Sequence, residues 1–173
     1  MDTGQIAELV IPRLREAGLL PENVDDATRA RVEQIITALQ SRMRTLEDFV
    51  PGSRYFFTDD IQYDEKAVDK FLHKEHIPAM LDLILAKLKV TEPFDEAHIE
   101  ETFQAVQGEI GLKLGDILQP LRVAITGTRV SPGMYEVLAI LGKERTCRIL
   151  EGANQMLKNR LALKAPETTS VDT

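Results

Sequence analysis

The chain has 173 residues, 43% hydrophobic and 28% charged, with a formal net charge of −7 and a single cysteine. This is the composition of a globular protein with a sizeable core; one cysteine excludes an internal disulfide and a multi-cysteine zinc site, and no apolar run approaches the roughly 18 residues of a membrane span. An acidic chain is a poor prior for nucleic-acid binding, because phosphate contacts dominate that affinity, so the placement of the 21 Lys and Arg residues matters.

The N-terminal MDTGQIAELV lacks a basic n-region and an apolar h-region, so no secretory signal is expected and the cytoplasm is the expected location. Helical periodicity then runs from end to end. TGQIAELVIPRLREAGLL sets Ile6, Leu9, Val10 and Leu14 at helical spacing, with Thr3 as a candidate N-cap and Gly18 as a stop. Pro12 demands either a kink or two short turns. The next helix starts on Asp25 or Asp26 and buries Val32, Ile35, Ile36, Leu39 and Met43. TLEDF reads as a short turn capped by Thr45 and ended by Pro51-Gly52.

A further helix begins at Asp64 and runs through HKEH, and apolar contact continues through Met80, Leu81, Ile84 and Leu88. Ile99, Phe103, Val106 and Ile110 repeat the pattern, and KLGDILQPLRVAIT follows, broken or bent near Gln119-Pro120. A helical pair around Gly142 closes the chain, and the polar tail KAPETTSVDT is expected to be disordered. No segment alternates with period two. The expected fold is all-α, about nine helices in two packed subdomains, residues 1–68 and 69–165, with a disordered tail over 166–173.

Enzyme signatures are absent: no phosphate-cradling glycine fingerprint, no nucleophile elbow, no triad. His73 and His76 stand one helical turn apart, with Asp69 on the same face as His73, a spacing that suits a metal but equally suits solvated histidines on a charged helix. The solvated reading is preferred, so no metal site and no catalytic residue is assigned. Cys147 lies between two arginines, which would lower its pKa, although a structural cysteine explains it as well.

The stretch TGTRVSPGMYEVLAILGKER carries more. Ser131 suits an N-cap and Pro132 the first helical position. Met134, Val137, Leu138 and Leu141 bury one face, and Gly142 falls where a left-handed C′ residue belongs. Such a helix start, with Arg129 beside it and Arg122 in the preceding helix, can hold phosphates or base edges.

Residues 114–150, LGDILQPLRVAITGTRVSPGMYEVLAILGKERTCRIL, resemble the C-terminal signature of bacterial glutamyl-tRNA synthetases, in which a PLR-A-TG helix leads into a PG-marked helix start and then LGKER. ITALQSRMRTLEDFVPGSRYFFTDDIQYDEKA, residues 36–67, resembles an upstream block of the same family at fitting spacing. The class I HIGH-like and KMSKS-like signatures have no counterpart. The resemblance is therefore to the anticodon-binding half, and the chain is expected to be either an excised portion of such an enzyme or a free-standing paralogue.

That resemblance implies an RNA-binding role as the specificity module of a glutamate–tRNA ligase, with no catalysis by this chain alone. It implies no cofactor here, ATP and Mg²⁺ belonging to the catalytic domain. Expected partners are the glutamate-tRNA anticodon loop and that catalytic domain, with no membrane, no DNA and a monomer as the default. The positions matching Ser131, Pro132, Gly133 and Met134 touch the first two anticodon bases in the family, with Arg122 beside them. The position matching Arg42 faces the third base, and arginine there accompanies enzymes that reject glutamine tRNA. Arg44, two residues on, is the alternative. Lys113 and Lys143 are candidate phosphate contacts, and Arg54 and Tyr55 either touch RNA or pack between subdomains. A helical protein-interaction module that keeps the fold is the competing reading.

Overall fold

The computed structural model describes residues 2–164, so the expected tail lies outside the described residues. Among them are nine α-helices and one 3₁₀ turn and no strand, as the periodicity predicts. They are α1 (Thr3–Glu16), α2 (Asp26–Leu39), α3 (Phe49–Phe57), α4 (Glu65–Phe71), α5 (Ile77–Lys89), α6 (Glu96–Ile110), α7 (Leu114–Thr126), α8 (Met134–Leu141) and α9 (Lys143–Lys164), with the 3₁₀ turn at Leu46–Asp48.

Acidic side chains cap α1, α2, α4 and α6. Asp25 accepts from the Thr28 amide at 2.8 Å, and Asp95 from the His98 amide at 2.9 Å. The first helix is capped by Asp2 rather than Thr3, because Asp2 and Gln5 form a reciprocal capping box that leaves Thr3 inside the helix. Pro12 and Pro120 both sit within continuous helices. In the turn Pro12 interrupts, the Arg13 guanidinium donates to the Leu9 carbonyl at 2.8 Å.

Three boundaries differ from the sequence reading. Pro51-Gly52 does not end a turn, because α3 runs through both; Pro51 lies in the first turn, where no backbone N–H is needed. The helix begun at Asp64 stops at Phe71, so HKEH forms the turn before α5. Ser131 and Pro132 precede α8, which starts at Met134 with Gly133 as N-cap and no capping side chain.

Helices α1, α2 and α3 pack on one another, while α9 packs against α5, α7 and α8 and α6 lies on α5 and α8. Buried side chains from Ala7 to Leu157 form one continuous hydrophobic core that includes Phe56, Phe103, Leu81 and Leu138. Helix α2 also touches α8, bringing the end of α2 beside the α7–α8 loop.

A polar clamp reinforces this docking. Arg31 of α2 and Arg145 of α9 both donate to the Phe56 carbonyl at the end of α3, Arg31 at 3.1 Å. Asp59 accepts from Arg148 Nε at 2.6 Å and from Arg145 Nη2 at 3.4 Å. The Arg148 hydrogen bond holds the Asp59 carboxyl below its ordinary range; burial opposes it, and the two guanidinium charges add to the lowering. A carboxylate depressed in the folded state contributes stability above its unfolded pKa of about 3.9, and that contribution is lost as pH falls through the folded value. Asp59→Asn is therefore expected to lower the melting temperature at pH 7, with the deficit shrinking steadily from about pH 5 toward pH 2 in a thermal-melt series.

Candidate nucleic-acid interface

Arg42 follows the end of α2 and Arg122 lies in the last half of α7, eighty positions apart in sequence. The fold sets Arg42 in a cavity of about 90 Å³ with Tyr55, Thr126, Val130 and Ser131, and Arg122 reaches the wall of that cavity through its hydrogen bond to Ser131. Arg44 does not line it, which favours Arg42 over its neighbour. Arg122 is half-buried, and burial first, then the charge of Arg42, lowers its pKa from the ordinary guanidinium value. Other arginines, including Arg13, Arg29, Arg54, Arg145, Arg148 and Arg160, are ion-paired with carboxylates. Among the described residues Arg42 and Arg122 have no such partner.

The loop after α7 is tied down on both sides. Arg122 Nε donates to Ser131 Oγ at 2.9 Å, and Arg122 Nη1 to Gln119 Oε1 at 2.5 Å. Gln119 Nε2 in turn donates to the Arg129 carbonyl at 3.1 Å. Thr126 Oγ1 donates within hydrogen-bond distance of the Arg122 carbonyl, and the Thr128 hydroxyl donates to the Val130 carbonyl at 2.9 Å. Ser131 is thus the acceptor for Arg122 rather than a helix cap, which is why α8 begins later than the sequence suggests.

Gly127 anchors the loop from beneath. Its φ is +82°, and its carbonyl accepts from the Asp64 amide at 2.8 Å. The segment after α3 is further held by the Tyr63 hydroxyl, which donates to the Ala124 carbonyl at 3.1 Å. What the loop leaves exposed is Thr128, Arg129, Val130 and Gly133, with Val130 at 71%. Pro132 and Met134 are buried, so their side chains pack inward and position the loop.

Tyr55 is 5% exposed and its hydroxyl is buried without a hydrogen-bond partner. Burial raises its pKa well above the ordinary value, so the phenol stays neutral, although Arg42 and Arg122 pull the other way. Arg54 borders a cavity of about 140 Å³ adjoining the first and pairs with Asp60 at 3.2 Å. Lys113 is exposed at the N-cap position of α7, at the far end of that helix from Arg122, and Lys143 pairs with Glu92.

The other sequence candidates do not assemble. His73 Nδ1 meets Asp69 at 3.1 Å, and no group of three metal-ligating side chains occurs among the described residues. Cys147 is buried and its thiol pKa is pushed up by burial, the reverse of what flanking arginines suggest, because Arg145 and Arg148 both turn to Asp59. Sequence spacing missed the parts played by Gln119, Thr126 and Thr128; the one signal for them is the side-chain hydroxyl and amide content of QPLRVAITGT. No described helix is long and apolar enough to cross a membrane.

A family model described as an anticodon binding domain matches residues 5–153. The chain is 40% identical over 152 residues to a glutamate–tRNA ligase of Geotalea uraniireducens, covering 88% of this chain and 31% of that protein. It is also 40% identical over 149 residues to the glutamate–tRNA ligase of Thermus thermophilus, covering 86% of this chain and 30% of the relative. A crystal structure of a glutamate–tRNA ligase from Elizabethkingia meningosepticum, in complex with its amino acid, superposes with a TM-score of 0.77 at 22% identity, over 91% of this chain and 30% of that one. The chain thus spans about a third of the length of the relatives it matches.

Proposed function

The chain belongs to the anticodon-binding-domain family, and on that premise we propose that it reads the anticodon loop of glutamate tRNA as the specificity module of a glutamate–tRNA ligase. One observation carries the reading: the Arg42 guanidinium lines a cavity beside an exposed, hydrogen-bonded loop whose Ser131 is held by Arg122, and the two guanidinium groups, neither with a carboxylate partner, feel each other's charge. Like charges held together disfavour each other, and an acceptor-rich ligand placed between them relieves that cost. Unpaired anticodon bases present such acceptors on edges that a single-stranded loop leaves open.

In this reading Arg42 faces the third anticodon base, and its fork of donors suits the acceptors of cytosine, as in an enzyme that rejects glutamine tRNA. Arg122, Ser131, Arg129 and Gly133 face the first two bases, with Pro132 and Met134 supporting the loop from within and Lys113 meeting the backbone. Residues 1–68 and 69–165 act as two helical subdomains whose junction forms the cavity. Ligation with ATP and Mg²⁺ belongs to a catalytic part outside this sequence, joined to it in a cytoplasmic enzyme.

The test is a binding titration of this chain with a glutamate-tRNA transcript and the same transcript with a scrambled anticodon, at low and moderate salt. The expected result is binding that weakens with salt and prefers the native anticodon. Equal binding to both transcripts, or none, contradicts it.

A further inference from the structure

A second basic concavity lies outside the Arg42 cavity. A groove of about 450 Å³ opens between the α4–α5 turn and the first half of α7, lined by Lys70, Lys74, His76, Phe71, Asp116 and Gln119 among others. Lys70, Lys74 and His76 are exposed, and the ion pairs of the described lysines lie elsewhere, at Lys87, Lys89, Lys143 and Lys158. In a chain of net charge −7, a groove with two such lysines and one carboxylate is a local reversal of sign. The Lys70 ammonium stands 5.4 Å from the centre of the half-buried Phe71 ring, which keeps its stem along the groove floor.

Gln119 joins this groove to the loop site. It lines the groove, accepts from Arg122 at 2.5 Å and donates to the Arg129 carbonyl at 3.1 Å. Asp116, Gln119 and Arg122 lie at helical spacing along one stripe of α7. The helix from Asp116 to Arg122 measures roughly 9 Å at about 1.5 Å per residue, a reach of two or three nucleotide steps at about 3.4 Å each.

Resting on the anticodon reading above, we propose that this groove is a second contact surface for the same RNA, where Lys70 and Lys74 meet the sugar-phosphate backbone of nucleotides flanking the loop. Backbone contacts fix register and orientation and carry no sequence information, so the groove sets affinity while Arg42 and the loop held by Arg122 set choice. The exposed ammonium groups act as mobile point charges suited to phosphate, in contrast to the restrained guanidinium of Arg122.

The experiment compares the wild-type chain with the Lys70→Gln/Lys74→Gln variant and with Lys66→Gln/Lys89→Gln, which removes the same charge from outside the groove. Each is titrated with the native and the scrambled-anticodon transcript across a salt series. The groove variant is expected to bind both transcripts about tenfold more weakly, with the salt slope reduced by about 2 and the ratio between transcripts unchanged. A slope and affinity equal to those of the control variant overturn the groove while leaving the anticodon reading intact. A wild type that binds neither transcript, or both alike, overturns the anticodon reading and the groove with it.

Discussion

Replacing Gly127 by alanine is expected to lower the stability of the chain by about 3 kcal/mol or more, a fall in melting temperature on the order of 10 °C for a domain of this size. Two costs combine. The residue holds φ at +82°, where an L side chain pays roughly 1–2 kcal/mol. A Cβ built there lies 2.1 Å from the Gln62 carbonyl oxygen, which is backbone and cannot swing aside. Relief requires the 61–64 segment to move, which strains the bond from the Asp64 amide to the Gly127 carbonyl and the packing of Tyr63 under α7. Gly108 is the control: it lies in α6 with open space where a Cβ would go, so Gly108→Ala should raise stability by up to about 1 kcal/mol. A thermal melt in which both variants behave alike would show that the loop is not anchored as described.

Arg122→Gln is the second large effect, and it falls on binding. The substitution removes the charge near Arg42 and the Nε donor to Ser131, so the loop loses a tether and the site loses one of its two neighbouring cations. Affinity for the glutamate-tRNA transcript should drop by about 1–3 kcal/mol, about fivefold to more than a hundredfold, with much of the preference for the native anticodon lost. Arg122→Lys should not restore it, because a point ammonium cannot bond Ser131 and Gln119 at once with the geometry of the planar fork. Full rescue by lysine in a titration would reduce the role of Arg122 to bulk charge.

Much of the helical framework was legible because local signals agreed. Asp25 before the Val32, Ile35, Ile36, Leu39 pattern, and Asp95 before Ile99, Phe103 and Val106, place caps and buried faces where the structure has them. Gly18 and Gly142 end their helices with positive φ as expected. The misreadings share a cause: each depended on a partner distant in sequence or on a helical position that residue type alone leaves open. SPG resembles a capped start until Arg122 is seen to occupy the Ser131 hydroxyl. PG resembles a stop until Pro51 is seen in a first turn. Cys147 resembles an activated thiol until Arg145 and Arg148 are seen to face Asp59.

The cavity itself was not legible from spacing at all. Arg42 belongs to the end of α2 and Arg122 to α7, and no periodicity relates them. The sequence pointed to Arg42 through family resemblance alone, and to Arg122 also through its place before the SPG helix start. The hydrogen bond from Arg122 to Ser131, which lines the Arg42 cavity, adds the physical reason for pairing them, and the cavity brings in Thr126 and Val130 as walls that the motifs did not single out.

The most direct measurement is a four-way binding cycle: wild type and Arg42→Gln, each titrated with a glutamate-tRNA transcript whose third anticodon base is C or G. Wild type should prefer the C form by at least about tenfold, and Arg42→Gln should lose most of that preference while still binding, since a well-placed arginine–base contact is worth about 1–3 kcal/mol of discrimination. A variant that keeps the full preference for C, or a wild type indifferent to the third base, would contradict the assignment of Arg42 as the residue that reads it.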